Sequence, residues 1–143
     1  MLVKLSVSQS RSPEETSFAS NSTASFINFD TLSFTNTSSS TVNFLIAWFY
    51  VWSHNNQSTD FISRVQYDNV TNLIDPSGTG VHRQEPKDSA GAGNGGTNQR
   101  HLACGFRVIS VATGAHTVDL DFSGNGGNDS TIHHSVMFAM RVQ

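Results

Sequence analysis

Six histidines, eleven carboxylates and one cysteine are the side chains from which this 143-residue chain would have to build a reactive or metal-binding site. His133 and His134 are the densest pair. Neighbours on a strand point to opposite faces, so within one chain they are not expected to chelate one ion together. The arrangement that would hold a metal is a single His133 from each of three chains around a threefold axis. His54, His82, His101 and His116 have no cysteine, carboxylate or histidine at a metal-ligand spacing. Asp119, Asp121 and Asp129 lie near a GNGG run with a passing likeness to a calcium-binding repeat loop. That architecture needs consecutive copies, and the chain has one. Serines are abundant, but no nucleophile elbow singles one out, and the scattered carboxylates propose no glycosidase pair.

The GAGNGG run inside residues 75–99 is followed by no lysine-serine pair and no helical segment, so it does not read as a phosphate cradle. Residues 75–99 read instead as a long flexible loop, exposed or bridging subunits. Enzyme activity, a cofactor and a resident metal are therefore not expected. Charged residues make up 13% of the chain, the net charge is −3, and Lys4 and Lys87 are the two lysines. Such a surface does not suit a phosphate backbone, and nucleic acid is excluded as a partner. It suits contact with protein or carbohydrate.

No apolar run is long enough to cross a membrane, and the opening MLVKLSVSQS is too short in apolar residues for a signal peptide. Asn21, Asn36, Asn56, Asn69 and Asn128 each begin an Asn-x-Ser/Thr triplet, expected to stay unmodified without a secretory signal. Cys104, in HLACGFRVISV, alternates with Leu102, Phe106 and Val108 and reads as a small core residue.

The elements that must position these side chains are strands. Sustained helical spacing is absent, and strand-like runs recur near 2–7, 15–20, 24–34, 41–53, 59–67, 69–74, 100–112, 115–123 and 130–142. The expectation is a single domain over 1–143, an antiparallel β-sandwich of eight or nine strands. The last two runs read as a long hairpin. In it His116, Val118, Leu120 and Phe122 share one face, Thr117, Asp119 and Asp121 share a solvated one, and Ile132, His134, Val136, Phe138, Met140 and Val142 alternate through the final strand.

The run TVNFLIAWFYVW is apolar on both sides: Phe44, Ile46, Trp48, Tyr50 and Trp52 face one way, and Leu45, Ala47, Phe49 and Val51 the other. A sandwich buries one face of each sheet, so the second must be covered by something else, most economically another copy. The expected interface comprises Leu45, Phe49, Val51, Ile109, Val111, Met137 and Ala139. Trp52, at the strand end beside His54 and Asn55, is the candidate for presentation to a ligand such as a sugar.

The closing pattern resembles the C-terminal hairpin of jelly-roll domains in tailed-phage structural proteins, the tumour-necrosis-factor-like class of capsid decoration proteins, head fibres and fibre knobs. The matching residues are Gly114, His116, Thr117, Val118, Leu120, Gly126, Gly127, Ile132, Phe138, Ala139, Arg141 and Val142. The resemblance implies a jelly-roll fold and a homotrimer in which the N- and C-terminal strands share the subunit-facing sheet. It also implies a virion location, with the protein made in the host cytoplasm. Since strand-like sequence begins at Leu2, the expected role is a capsid decoration or cement protein. Such a trimer sits on the outer capsid surface and binds the major capsid protein through the N-terminal segment and the 75–99 loop. The alternative is a receptor- or carbohydrate-binding knob of a phage fibre, using Trp52, His54 and Asn55.

Overall fold

A computed structural model describes residues 7–11, 19–21, 25–54, 61–74, 82–84, 100–124 and 130–142. Every regular element in them is a strand: β1 (Val7–Arg11), β2 (Ala19–Asn21), β3 (Ile27–Asn36), β4 (Val42–His54), β5 (Phe61–Tyr67), β6 (Thr71–Asn72), β7 (His82–Gln84), β8 (His101–Val111), β9 (Gly114–Gly124) and β10 (Ser130–Val142). They form two antiparallel sheets. The front sheet runs β1-β10-β4-β8, with β2 also on β10; the back sheet runs β3-β9-β5-β6, with β7 also on β5. From β3 to β5 and again from β8 to β10, each long strand lies in the sheet opposite its predecessor, the jelly-roll form of a sandwich.

That alternation corrects the expected terminal hairpin. β9 pairs with β3 and β5 in the back sheet, whereas β10 pairs with β1, β2 and β4 in the front one, so the two strands are not paired with each other. Residues 125–129, including Gly126, Gly127 and Asp129, lie outside the described residues. So do 2–6, 12–18 and most of 75–99, although His82–Gln84 within that last stretch pairs with β5.

The period-two pattern dictates the core. On β4, Phe44, Ile46, Trp48, Tyr50 and Trp52 are buried, and Leu32, Phe34, Phe61, Val65, Val118, Leu120 and Phe122 meet them from the back sheet. The aromatic stripe of β4 is so bulky that its flanking strands supply mostly small or flexible partners: Trp48 lies between Met137 and Gly105, and Tyr50 between Ser135 and Ala103. A Cβ on Gly105 would sit 2.6 Å from the Trp48 ring, so only glycine lets the indole lie against β8.

Trp52 Nε1 and Asn72 Oδ1 are buried without a hydrogen-bond partner, but other polar groups inside are paired, as burial requires. The Tyr50 hydroxyl and Ser63 Oγ are 2.5 Å apart, and burial pushes the phenol up to about 12 despite that bond. Ser135 donates to the Asp30 carboxylate across the sheets. Buried Asn36 closes one end: its Nδ2 donates to the carbonyls of Ser40, Val111 and Ala112, while its Oδ1 accepts from the Ser38 amide and hydroxyl.

Candidate interaction surface

The outer face of the front sheet is assembled row by row from the register of β10, β4 and β8. Met140, Leu45 and Val108 form one cross-strand row. Phe138, Ala47 and Phe106 form the next, then Val136, Phe49 and Cys104, then His134, Val51 and Leu102. These twelve positions hold no carboxylate, lysine or arginine, and His134 is the sole residue among them that is not hydrophobic. The β10 side chains are half-buried, whereas exposure reaches 41% at Phe49, 59% at Leu102, 74% at Phe106 and 52% at Val108. A contiguous apolar face of this kind is uncommon on a soluble monomer.

Leu45, Phe49 and Val51 are on this face, as the two-sided apolarity of β4 requires. The other four expected interface residues are corrected. Val111, Met137 and Ala139 are buried in the core, and Ile109 packs against it. For β8 the parity is the reverse of the expected one. Leu102, Cys104, Phe106 and Val108 point outward, because the strand must turn Ala103 and Gly105 toward the β4 aromatics. Cys104 is accordingly exposed and is not a core residue.

For β10 the cause is a bulge. Ile132 is opposite Trp52 but His134 is opposite Val51, leaving His133 as the extra residue, and everything after it changes face. Met137 and Ala139 therefore turn inward, and Val136, Phe138 and Met140 outward.

Trp52 is fully buried, stacked between Phe61 (4.3 Å between centroids) and His101 (4.5 Å), so it is not presented to a ligand. Its position in the inward stripe with Trp48 and Tyr50 is the cause. His54 is the last residue of β4, and Asn55 lies outside the described residues. A groove of about 780 Å³ runs beside β8, lined by residues that include Trp48, Tyr50, Leu73, Ile74, Ala103 and Arg107. The Arg107 guanidinium donates to the Leu73 carbonyl at its margin.

Two polar clusters of the back sheet were not legible in the spacing. On its outer face Asp119 and Asp121 are buried rather than solvated. Asp121 holds Arg64 at 2.8 Å and accepts from Asn28, and Asp119 accepts from Thr31, Thr117 and Asn28. Among the described residues no group of three histidines, cysteines or carboxylates is placed to hold a metal.

At the β5–β6 turn, Asp68 Oδ2 lies 2.8 Å from His116 Nδ1, and the Tyr67 hydroxyl lies 2.8 Å from the same nitrogen. His116 Nε2 faces the Ala112 carbonyl at 2.9 Å. Two acceptors on two nitrogens call for the imidazolium. Burial opposes that charge, but the bonds to Asp68 and Ala112 and the charge of Asp68 outweigh it and raise His116 above its ordinary value. The pair resembles half of a charge relay, yet the second nitrogen meets a carbonyl where a nucleophile would need to be, so the cluster acts as a clasp between turns.

No family model matches the sequence, and no curated protein matches it. Among solved structures the chain is similar to the CBM36-1 domain of a multidomain xylanase from the hindgut metagenome of Trinervitermes trinervoides. The identity is 10%, the match covers 94% of this chain and 96% of that one, and the TM-score is 0.43.

Proposed function

We propose that this chain is a self-assembling structural module that trimerises through the outer face of its front sheet. The observation supporting this is the set of four charge-free rows, in which Phe106 and Leu102 are more than half exposed. Burying such side chains contributes roughly 25 cal/mol per Å² of apolar area, and a polar solvent-facing role gives no reason to assemble them. The revised interface is Leu45, Ala47, Phe49, Val51, Leu102 and Phe106 with their row partners.

The role that such a trimer fits is the one implied by the resemblance of the terminal strands: decoration of the outer surface of a phage capsid. There each copy would bridge capsid proteins, and the added interfaces would favour the assembled shell by mass action. The test has two stages. Light scattering coupled to size exclusion should give a mass near three chains at low and high salt, and the trimer should bind capsids stripped of decoration. A monomer would refute the assembly reading; a trimer that ignores capsids would refute decoration alone.

A second reading, a carbohydrate- or receptor-binding knob, is favoured by a separate observation. The groove beside β8 has the exposed Phe106 ring and the Arg107 guanidinium in its lining, the mixture of ring and polar group that sugar recognition uses, above the buried Trp48 and Tyr50. Phe106 replaces Trp52 as the platform of this reading. A glycan array separates the readings, because a decoration protein should be silent on it.

A further inference from the structure

The edge of a sheet leaves main-chain donors and acceptors with no strand to meet, and folded chains blunt such edges by shortness, bulges, proline or lysine. Among the described residues three of the four sheet edges follow that rule: β1 and β2 have five and three residues, β6 and β7 have two and three, and β3 is bulged between Asn28 and Asp30. The fourth does not. β8 has eleven residues, pairs with β4 alone among the described strands, keeps one unbroken register from His101 to Val111, and contains no proline, lysine or carboxylate. The groove of about 780 Å³ follows this edge, since every residue from Leu102 to Val108 lines it whichever face its side chain takes. Leu73 and Ile74, just after β6, line it from the other sheet, and Trp48 and Tyr50 reach it beside their small register partners Gly105 and Ala103. Arg107 is the charged residue among the described lining, which includes no carboxylate.

We infer that β8 is a docking edge for an extended segment of another protein, one whose groove-facing side chains are apolar except for a carboxylate that meets Arg107. An added strand is the occupant that pairs with a run of main-chain groups. Every second side chain of such a strand points to the same side of the sheet, where it enters the space between β8 and Leu73, so apolar residues fit there. Charge selects the remaining one. Arg107 makes one bond to the Leu73 carbonyl and keeps further N–H donors for a carboxylate that the lining does not supply. A second copy of β8 is a poorer occupant, because it would bring another arginine and no acid. This contact goes beyond the self-assembly reading and does not require it: strand addition uses the main-chain edge and the inward side, whereas assembly uses the outward side chains.

The probe is a labelled peptide, Thr-Val-Thr-Val-Thr-Asp-Thr-Val-Thr, blocked at both ends, with a control in which lysine replaces the aspartate. Anisotropy reads its affinity for the full chain, and amide hydrogen exchange followed by NMR reads where it sits. The aspartate peptide should bind about tenfold more tightly than the lysine peptide and slow the exchange of every second amide along β8. Arg107→Glu should reverse the preference, and Arg107→Gln, which keeps a neutral donor for the Leu73 carbonyl, should make the two peptides bind alike. An aspartate peptide that does not bind, binds no better than the lysine one, or binds without slowing the β8 amides overturns the inference. Should Arg107→Glu fail to fold, a preference for aspartate that survives in Arg107→Gln overturns it as well.

Discussion

The outer faces of the two sheets share one pleat and carry opposite chemistry. On the back sheet Asn28, Thr31, Arg64, Thr117, Asp119 and Asp121 satisfy one another within the chain, and the two carboxylates are buried without any other molecule. On the front sheet the corresponding positions are aliphatic, aromatic or sulfur-bearing, and the β8 row ends stand in solvent. A face of the first kind is complete in the monomer. A face of the second kind is complete only when something apolar covers it, and the proposed assembly rests on that contrast.

The sharpest way to break the contrast is to place a charge on the front face. Phe106→Asp should reduce the proposed trimer to a folded monomer, since an uncompensated carboxylate in a dry interface costs more than the contact can return. Phe49→Asp, in the neighbouring row, should give monomer or insoluble protein. An unchanged mass on light scattering would remove the front face from consideration. The next effect is internal: Gly105→Ala drives a methyl into the Trp48 ring and should cost about 2 kcal/mol in urea unfolding, with no loss if the indole can shift.

Smaller again is the change on the self-sufficient side. Asp121→Asn removes the charge opposite Arg64, which is itself partly exposed, and should cost about 1 kcal/mol without altering the mass. A change in assembly from this variant would erase the distinction between the faces.

The smallest effect is titration of the clasp. His116 is raised from 6.5, so its contribution is complete below that pH and fades as pH rises through the higher folded value. Asp68 is lowered from 3.8: burial works to raise it, but the bonds from His116 and the Thr117 amide prevail. Its contribution is present above 3.8 and fades as pH falls below it. One ion pair underlies both limits, so stability should be flat between them and decline on each side. His116→Gln should flatten the alkaline limb of a melting-temperature profile.

Which of these features could be read from residue order depends on whether alternation alone decides them. β4 is legible because both of its faces are apolar, so either parity buries one apolar stripe and exposes another. β9 is legible because Val118, Leu120 and Phe122 have no rival for the interior. β8 is not, since Leu102, Phe106 and Val108 look better suited to a core than Ala103 and Gly105. Volume reverses that preference: Trp48 and Tyr50 already occupy the space, and only small residues fit beside them. β10 is misread because one inserted residue inverts every later side chain, and nothing in Ile-His-His-Ser announces a bulge. The terminal hairpin fails for a related reason, because alternation on either side of a turn does not tell whether the two strands enter the same sheet. The Asp68–His116 clasp joins residues 48 apart and follows from topology alone.

Asn36 carries an implication for how the protein can be produced. It opens an Asn-Thr-Ser triplet, the sequence at which a secretory pathway attaches glycans. The nitrogen that would take the sugar is buried and shared among three main-chain carbonyls at the closed end of the sandwich. A glycan attached there during translocation would keep the β3–β4 connection from seating against the β8–β9 turn. Expression through a eukaryotic secretory route is thus expected to trap the chain unfolded, and Ser38→Ala, which deletes the acceptor triplet, would rescue secretion at the cost of one hydroxyl.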